Sequence, residues 1–265
     1  MVWKRRWLLG AAIASLAALL GSTILNQGDD PAAGSVTLIV SAAASVQDAL
    51  AEVVRAYEVE KPEVKVNLNF ASSGALQQQI ERGAPVDVFL AASPRQMDAL
   101  QAKDLLLSET RRNLFSNQIV LVTSRDRDAV IKGFAGLTAA TVKRIVIGEP
   151  ESVPAGTYAK EVLSSLQLYS QLAPKLVFAK DVRQALAYVE SGNVSAGLIY
   201  ATEAALSAQV HTVATASPSS HTSIVYPVAA IQHSRQPDAA RAFVDFLVSD
   251  AARLTFERYG FTPIP

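Results

Sequence analysis

The chain has 265 residues, of which 50% are hydrophobic and 18% charged, and its 24 basic residues balance its 24 acidic ones. This length can bury a substantial core, as one large domain or two of ordinary size. The zero net charge argues against a nucleic-acid-binding protein, which normally carries a basic excess. The absence of cysteine excludes disulfides, thiolate zinc sites, cysteine nucleophiles and lipid attachment at a cysteine.

The first 28 residues have the pattern of an export signal. Lys4, Arg5 and Arg6 precede an apolar run from Trp7 to about Leu25, and this order is typical of secretory signals. An uncleaved membrane anchor is the alternative, because the run is long and no clean Ala-x-Ala site follows it. Three basic residues and no acidic ones lie in this segment, so the remainder carries a net charge of about −3. A polar spacer with Pro and Gly covers 29–35.

From residue 36 onward, short apolar runs alternate with helical patterns. Strands are predicted at Val36–Val40, Val64–Phe70 and Val86–Ala91. A helix is predicted after each strand, because apolar residues then recur at helical spacing. The first of these apolar faces consists of Val46, Leu50, Val53, Val54 and Tyr57. This alternation indicates βαβ units, a parallel sheet and an α/β fold.

A second set of alternating elements begins near residue 119. The predicted strands are Ile119–Thr123, Arg144–Ile147, Lys175–Phe178 and Ala196–Tyr200. Helices are predicted where apolar faces occur, around 162–166 and 182–189. Near the end, a further strand is predicted at Ile224–Ile231 and a helix around 242–247. The two sets predict two α/β lobes of about 100 residues each.

The common catalytic signatures are missing from the sequence. It contains no Gly-x-Gly-x-x-Gly, no Gly-x-Ser-x-Gly and no His-Glu-x-x-His. Gly192 and Gly197 have the spacing of a phosphate loop, but Leu198 and Ile199 stand where Lys and Ser or Thr are required. The three histidines are widely separated, which argues against a metal site. A binding protein is therefore favoured over an enzyme.

Four transitions from strand to helix share small or helix-capping residues. They are Ala42–Ser45, Phe70–Gly74, Val153–Gly156 and Asp181–Gln184. Each transition alone is explained by ordinary helix capping, with Ser45 and Asp48 as a capping box at the first. Helix N-termini also supply unpaired N–H donors and the positive end of the macrodipole. Because ligands of open α/β sheets bind beyond the carboxyl ends of strands, the four starts together predict a site for a small anion.

The chain resembles the periplasmic molybdate-binding proteins of bacterial ABC transporters. The resemblance covers nearly the whole chain from Val36 onward, in the order of the family. The matching stretches are Ala42–Ser45, Phe70–Gly74, Gly83–Val88, Gly148–Gly156, Tyr158–Glu161, Asp181–Arg183, Gly197–Tyr200, Tyr226–Val228 and Arg258–Phe261. As a set these motifs are highly specific, whereas the runs of small residues alone are not.

The resemblance implies a two-lobed periplasmic binding-protein fold of type II, with the ligand in the cleft between the lobes. Lobe one is expected to comprise 36–117 and 226–265, and lobe two 118–225. The resemblance also implies a periplasmic location, a monomer, and delivery of the ligand to an ABC transporter permease in the inner membrane.

The family's ligand contacts fall on five positions of this sequence. They are the hydroxyl and N–H groups of Ser45 and Ser73, the N–H groups of Ala155 and Val182, and the hydroxyl of Tyr200. The ligand is expected to be molybdate or tungstate, so these residues contact the metal only through the oxygens of the oxyanion, and no cofactor is expected. Arg183 is expected to support the loop or face solvent, since a buried cation would blunt discrimination by neutral donors.

Other functions remain open at the level of the sequence. Within binding proteins, the ligand could be another oxyanion such as sulfate, or a small organic anion. A ligand-sensing module is a second alternative, which the export signal disfavours. An enzyme on the same two-lobed fold is a third, because a fold alone does not decide function.

Overall fold

The structure of the protein, a computed structural model, describes residues 35–125 and 131–264. The predicted export segment, 1–28, and most of the predicted spacer lie outside the described residues. The strands are β1 (Val36–Ala43), β2 (Val64–Ala71), β3 (Val88–Leu90), β4 (Arg112–Ser116), β5 (Ile119–Ser124), β6 (Ile145–Gly148), β7 (Leu176–Ala179), β8 (Ala196–Tyr200), β9 (Val210–Thr215), β10 (Tyr226–Ala230) and β11 (Thr262–Pro263).

The helices alternate with the strands over most of the chain. They are α1 (Gln47–Glu60), α2 (Ser73–Glu81), α3 (Pro94–Gln101), α4 (Pro154–Ser165), α5 (Tyr169–Leu172), α6 (Val182–Glu190), α7 (Ala201–Leu206), α8 (Pro237–Leu247) and α9 (Asp250–Arg258). Among the described residues, no helix is both long enough and apolar enough to span a membrane.

The strands form two sheets. The first has the order β11-β4-β10-β3-β1-β2, and the second has the order β7-β6-β8-β5-β9. We call the first sheet and its packed helices (α1, α2, α3, α8 and α9) the first lobe, and the second sheet with α4, α6 and α7 the second lobe. The chain passes from the first sheet to the second between β4 and β5, and returns between β9 and β10. The two-lobed α/β prediction is confirmed.

The predicted parallel pairing is confirmed for the strands of the βαβ units, but both sheets also contain antiparallel strands. β1 pairs in parallel with β2 and β3, as βαβ units require. However, β10 runs antiparallel to β3 and β4, and β5 runs antiparallel to β8 and β9. The reason is that β5 and β10 each follow a crossing between the lobes, so they enter their sheets without a βαβ connection. An apolar run gives no information about strand direction.

The helix faces predicted from periodicity cover the sheets. On α1, Leu50, Val53 and Tyr57 are buried, and the Tyr57 ring lies 5.0 Å from the rings of both Phe243 and Phe246. Burial of each such side chain contributes roughly 1.5–3 kcal/mol. This packing holds the carboxyl ends of β1 and β2, and the helix starts that follow them, in fixed positions.

Candidate functional site

A small cavity lies where helix starts of the two lobes face each other. Its volume is about 10 Å³, far below the roughly 300–1,000 Å³ of pockets that take drug-sized ligands. The cavity is therefore too small for a drug-sized ligand. The lining residues are Ala43, Ala44, Ser45, Ala71, Ser72, Ser73, Ala92, Val153, Pro154, Ala155, Asp181, Val182 and Tyr200. The structure thus brings all five predicted site residues to one cavity.

Ser45 follows β1 in a short 3-10 helix, Ala44–Val46, that leads into α1. Its side chain is buried, and its Oγ lies 3.0 Å from the phenolic oxygen of Tyr226. The alternative of a capping box is wrong, because no side chain caps this start and the Asp48 carboxylate bonds to Arg183 instead. The Ser45 hydroxyl is therefore not used by the backbone of its own helix.

Ser73 is the first residue of α2 and is fully buried. The capping role belongs to the preceding Ser72, whose Oγ accepts from the N–H of Ala75 at 3.4 Å. The Oγ of Ser73 instead accepts from the N–H of Ala92, which follows β3, at 2.9 Å. Since a hydroxyl has a single proton, the Ser73 proton remains available for a ligand.

The second lobe contributes two helix starts. In α4, Pro154 occupies the first turn, and the N–H groups of Gly156 and Thr157 already bond to the carbonyl of Val153. Among the described residues, the N–H of Ala155 has no acceptor, as expected for the first turn of a helix. This N–H is therefore a free donor at the cavity.

The start of α6 has the same character. The side chain of Asp181 caps it by accepting from the N–H of Gln184 at 2.8 Å, as the sequence predicts. The N–H of Val182 is left without an acceptor in the described part of the chain. The Asp181 cap thus holds the start of α6 in place while leaving the N–H of Val182 for a ligand.

Tyr200 ends β8, and its side chain is buried. Its hydroxyl lies 3.5 Å from the carbonyl oxygen of Ala92, the outer limit of a hydrogen bond. Burial raises the pKa of the Tyr200 phenol well above its ordinary value, so the phenol keeps its proton at neutral pH. Tyr200 therefore brings a third protonated hydroxyl to the cavity.

Fixed cations are absent from this cavity, since no lysine or arginine is among the described residues that line it. Arg183 follows Val182, but its guanidinium lies 2.6 Å from the Asp48 carboxylate of the first lobe and 2.9 Å from that of Glu203. The guanidinium thus pairs with carboxyl groups of both lobes and does not line the cavity. That Arg183 supports the loop or faces solvent stays a prediction. The described residues also contain no cluster of His, Cys, Asp or Glu that could hold a metal ion.

Glu203 is a buried carboxyl that sequence reasoning missed. It lies in α7, three residues after Tyr200, and is fully buried. Burial raises its pKa to about 8, although the nearby Arg183 lowers it. The only signal in the sequence is an acidic residue shortly after a buried strand. Glu203 does not line the cavity, and its carboxyl lies 2.9 Å from the Arg183 guanidinium.

The two lobes touch directly beside the cavity. The N–H of Gly74, in α2, donates to the carbonyl of Ser152 at 2.9 Å. A Cβ at position 74 would lie 2.6 Å from that oxygen, so only glycine allows this approach. With the Arg183–Asp48 pair, this contact holds the cleft closed.

The chain is similar in sequence to known bacterial binding proteins. A model of the bacterial extracellular solute-binding protein family matches residues 38–262. The molybdate-binding protein ModA of Haemophilus influenzae is 39% identical over 233 residues, which are 87% of this chain and 91% of that protein. ModA of Escherichia coli is 37% identical over 263 residues, 97% and 98% of the two chains.

A solved structure shares the fold. The periplasmic molybdate-binding protein of Azotobacter vinelandii superposes with a TM-score of 0.77 over 86% of this chain and 99% of that chain. Its sequence identity is 22%, so this likeness supports the two-lobed architecture alone. The resemblance found in the sequence is confirmed by the family model and the relatives.

Proposed function

Because the chain belongs to the family of bacterial extracellular solute-binding proteins, we propose that it captures molybdate, and tungstate as a second ligand, for delivery to an ABC transporter permease. Relatives that are named molybdate-binding proteins cover almost the whole chain. The observation that supports this proposal most strongly is a cavity at which both lobes supply hydrogen-bond donors and no cation. The proposed ligand contacts are Ser45, Ser73, Ala155, Val182 and Tyr200.

The donor set suits an oxyanion with two negative charges and no proton. Its three hydroxyls and the N–H groups at helix starts can all donate, and the helix starts add the positive ends of two macrodipoles. The carboxylate of Asp181 is used by the cap of α6. An oxyanion that still carries a proton would bury a donor without an acceptor, which costs about 1–3 kcal/mol.

Binding is proposed to favour the closed cleft. The serines belong to the first lobe, whereas Ala155, Val182 and Tyr200 belong to the second. Only a closed cleft lets both groups donate to one ion, so the differential contact shifts the equilibrium between open and closed forms. We propose that the moving bodies are 36–117 with 226–265, and 118–225. The two chain crossings between the sheets would then form the hinge.

Sulfate is the alternative ligand to molybdate and tungstate. Charge does not separate molybdate, tungstate and sulfate, since each is a dianion. We propose that cavity size separates them, because donors fixed by packed helix starts would lie too far from the oxygens of the smaller sulfate. A ligand-sensing or enzymatic role is less well supported, because the family matched is one of extracellular solute-binding proteins.

The proposed setting is the periplasm, with the apolar segment near the N-terminus as signal or anchor. The sequence contains no cysteine, so a lipid cannot tether the protein through a cysteine. We propose a monomer without cofactor or enzymatic activity, whose partners are the oxyanion and the permease.

Titration calorimetry with molybdate, tungstate and sulfate tests the proposed function. We expect tight binding of molybdate and tungstate, and weak binding of sulfate. Absence of tight molybdate binding would reject the function. The double variant Ser45→Ala and Ser73→Ala should bind molybdate about 10²- to 10⁴-fold more weakly, since each charge-assisted hydrogen bond contributes about 1.5–3 kcal/mol.

A matched control is Ser195→Ala. The Oγ of Ser195 also accepts from a backbone N–H, that of Lys143, but it does not line the cavity. We expect this variant to retain molybdate affinity. Unchanged affinity in the double variant would reject the assignment of the serines and leave the function standing.

A further inference from the structure

The hydroxyl of Ser45 can either donate or accept, and the choice matters at a site for an anion. A hydroxyl with a free acceptor site can accept a hydrogen bond from an oxyanion that carries a proton. A hydroxyl that can only donate leaves that proton without an acceptor. The role of Ser45 is therefore decided by the group that occupies its oxygen. That group is the phenol of Tyr226, whose oxygen lies 3.0 Å from the Ser45 Oγ.

We propose that Tyr226, oriented by Asn117, is a positioning residue that makes Ser45 a hydrogen-bond donor only and so sets the preference of the site for oxyanions without a proton. This inference rests on the proposed function and adds a cause for its selectivity. Neither residue lines the cavity; Tyr226 contacts two residues that do, Ser45 through a hydrogen bond and Tyr200 through its ring at 5.8 Å, and the proposal concerns the contact with Ser45.

Hydrogen bonds link Asn117 to Tyr226 and Tyr226 to Ser45, and we call this chain of bonds the relay. Asn117 fixes which group donates in it. The N–H of Gln118 donates to Asn117 Oδ1 at 2.8 Å, which identifies that atom as the oxygen of the amide. The amide nitrogen, Nδ2, therefore faces Tyr226 Oη at 3.3 Å and Thr202 Oγ1 at 2.9 Å. Because an amide nitrogen only donates, the phenolic oxygen of Tyr226 must accept from Asn117.

The phenol of Tyr226 has one proton, and besides Asn117 its oxygen has two hydroxyl neighbours: Ser45, within hydrogen-bond distance, and Tyr200. The residue is fully buried, and burial raises the pKa of its phenol, so the proton stays on the oxygen at neutral pH. With Asn117 donating to Tyr226 Oη, the phenol proton points to the Oγ of Ser45 at 3.0 Å. The Ser45 oxygen is thereby occupied, and its own proton is left for the ligand.

The hydroxyl of Ser73 is also left to donate, because a single hydrogen bond already occupies its oxygen. Its oxygen accepts from the N–H of Ala92 at 2.9 Å, and a backbone N–H cannot reverse its role. A phenol can reverse, so the bond between Tyr226 and Ser45 has a defined direction only while Asn117 donates. The relay also connects to the second lobe. Asn117 lies where the chain passes between the sheets, and its amide nitrogen donates to Thr202 of the second lobe.

Tyr226→Phe isolates this effect. The ring packs against Phe115 at 4.9 Å and Phe261 at 5.5 Å, and phenylalanine preserves that packing. The loss of the hydroxyl frees an acceptor on Ser45, which a proton-bearing oxyanion can then use. We expect affinity for such an oxyanion to rise relative to one of equal charge and similar size that has no proton.

Selenate and arsenate are suitable probes, because at mildly alkaline pH both are dianions of similar size and only arsenate carries a proton. Their affinities are measured by displacement of molybdate from the full chain. We expect Tyr226→Phe to lower the preference for selenate over arsenate by about tenfold, the effect of relieving one unpaired buried donor. Asn117→Leu, which removes the orienting donor, should change the preference in the same direction.

Tyr57→Phe is the control, because Tyr57 is also a buried tyrosine but lies on α1, away from the cavity. It should leave the preference unchanged. An equal loss of affinity for selenate and arsenate in both relay variants would overturn the inference, since it would indicate a packing role only. If Tyr226→Phe does not fold, Asn117→Leu alone decides. Failure of the unaltered protein to bind molybdate would instead reject the proposed function.

Discussion

Substitution of Gly74 by alanine should impair closure of the cleft without touching any proposed ligand contact. The added Cβ would lie 2.6 Å from the carbonyl oxygen of Ser152 and 2.7 Å from its Cα. Carbon atoms pack at about 3.5–4.0 Å, so the two lobes would have to separate by roughly 1 Å at this point. Ser152 lies three residues before Ala155, so the same displacement would draw the N–H of Ala155 away from the ion.

The expected loss follows from two contributions. Overpacking of this kind costs about 1–3 kcal/mol. The hydrogen bond from the Gly74 N–H to Ser152, 2.9 Å long, contributes about 0.5–1.5 kcal/mol. Together they amount to about 1.5–4.5 kcal/mol in the closed form, which corresponds to molybdate binding weaker by about tenfold to two-thousandfold.

Calorimetry and thermal unfolding separate closure from folding. In an open cleft Gly74 and Ser152 are apart, so the melting temperature without ligand should be little changed, while the increase caused by molybdate should shrink. Gly136→Ala is the control, because a Cβ there would meet Ile131 at an ordinary 3.5 Å. Affinity of Gly74→Ala within threefold of the unaltered protein would refute the reasoning.

Three further predictions concern charged groups. Asp48→Asn breaks the 2.6 Å ion pair with Arg183 between the lobes; because both side chains are partly exposed, we expect only about two- to fivefold faster release of molybdate in stopped-flow measurements. The pKa of Glu203, about 8 against an ordinary 4.5, means that the folded protein keeps a proton that the unfolded chain releases. The free energy of unfolding should therefore fall as pH rises from about 4.5 to 8, and Glu203→Gln should flatten that slope in urea titrations. Lys175→Met removes hydrogen bonds of 2.9–3.2 Å to the carbonyls of 137–139, and a loss of about 1–3 kcal/mol is expected in the same assay.

Apolar runs predicted the buried strands, and helical periodicity predicted the helices with one apolar face. The strand Ala196–Tyr200 has the predicted bounds, and the buried face of α1 consists of residues predicted for it. Strand β4, Arg112–Ser116, could not be predicted from the sequence, because its first two residues are polar and exposed and its pairing partners come from the distant C-terminal part of the chain. The antiparallel direction of β5 and β10 was also not predicted, since it follows from where the chain crosses between the lobes.

The features of the candidate site likewise have either a local or a distant cause in the chain. The sequence by itself determined which residues can donate, because small residues and caps at a helix start leave N–H and hydroxyl groups available. Only the tertiary structure decided that these donors meet at one cavity, that Gly74 is needed for the lobes to touch, and that Ser45 faces Tyr226. The physical reason is that a hydroxyl takes its role from its neighbours, and the neighbour that orients Ser45 lies 181 residues away in the chain.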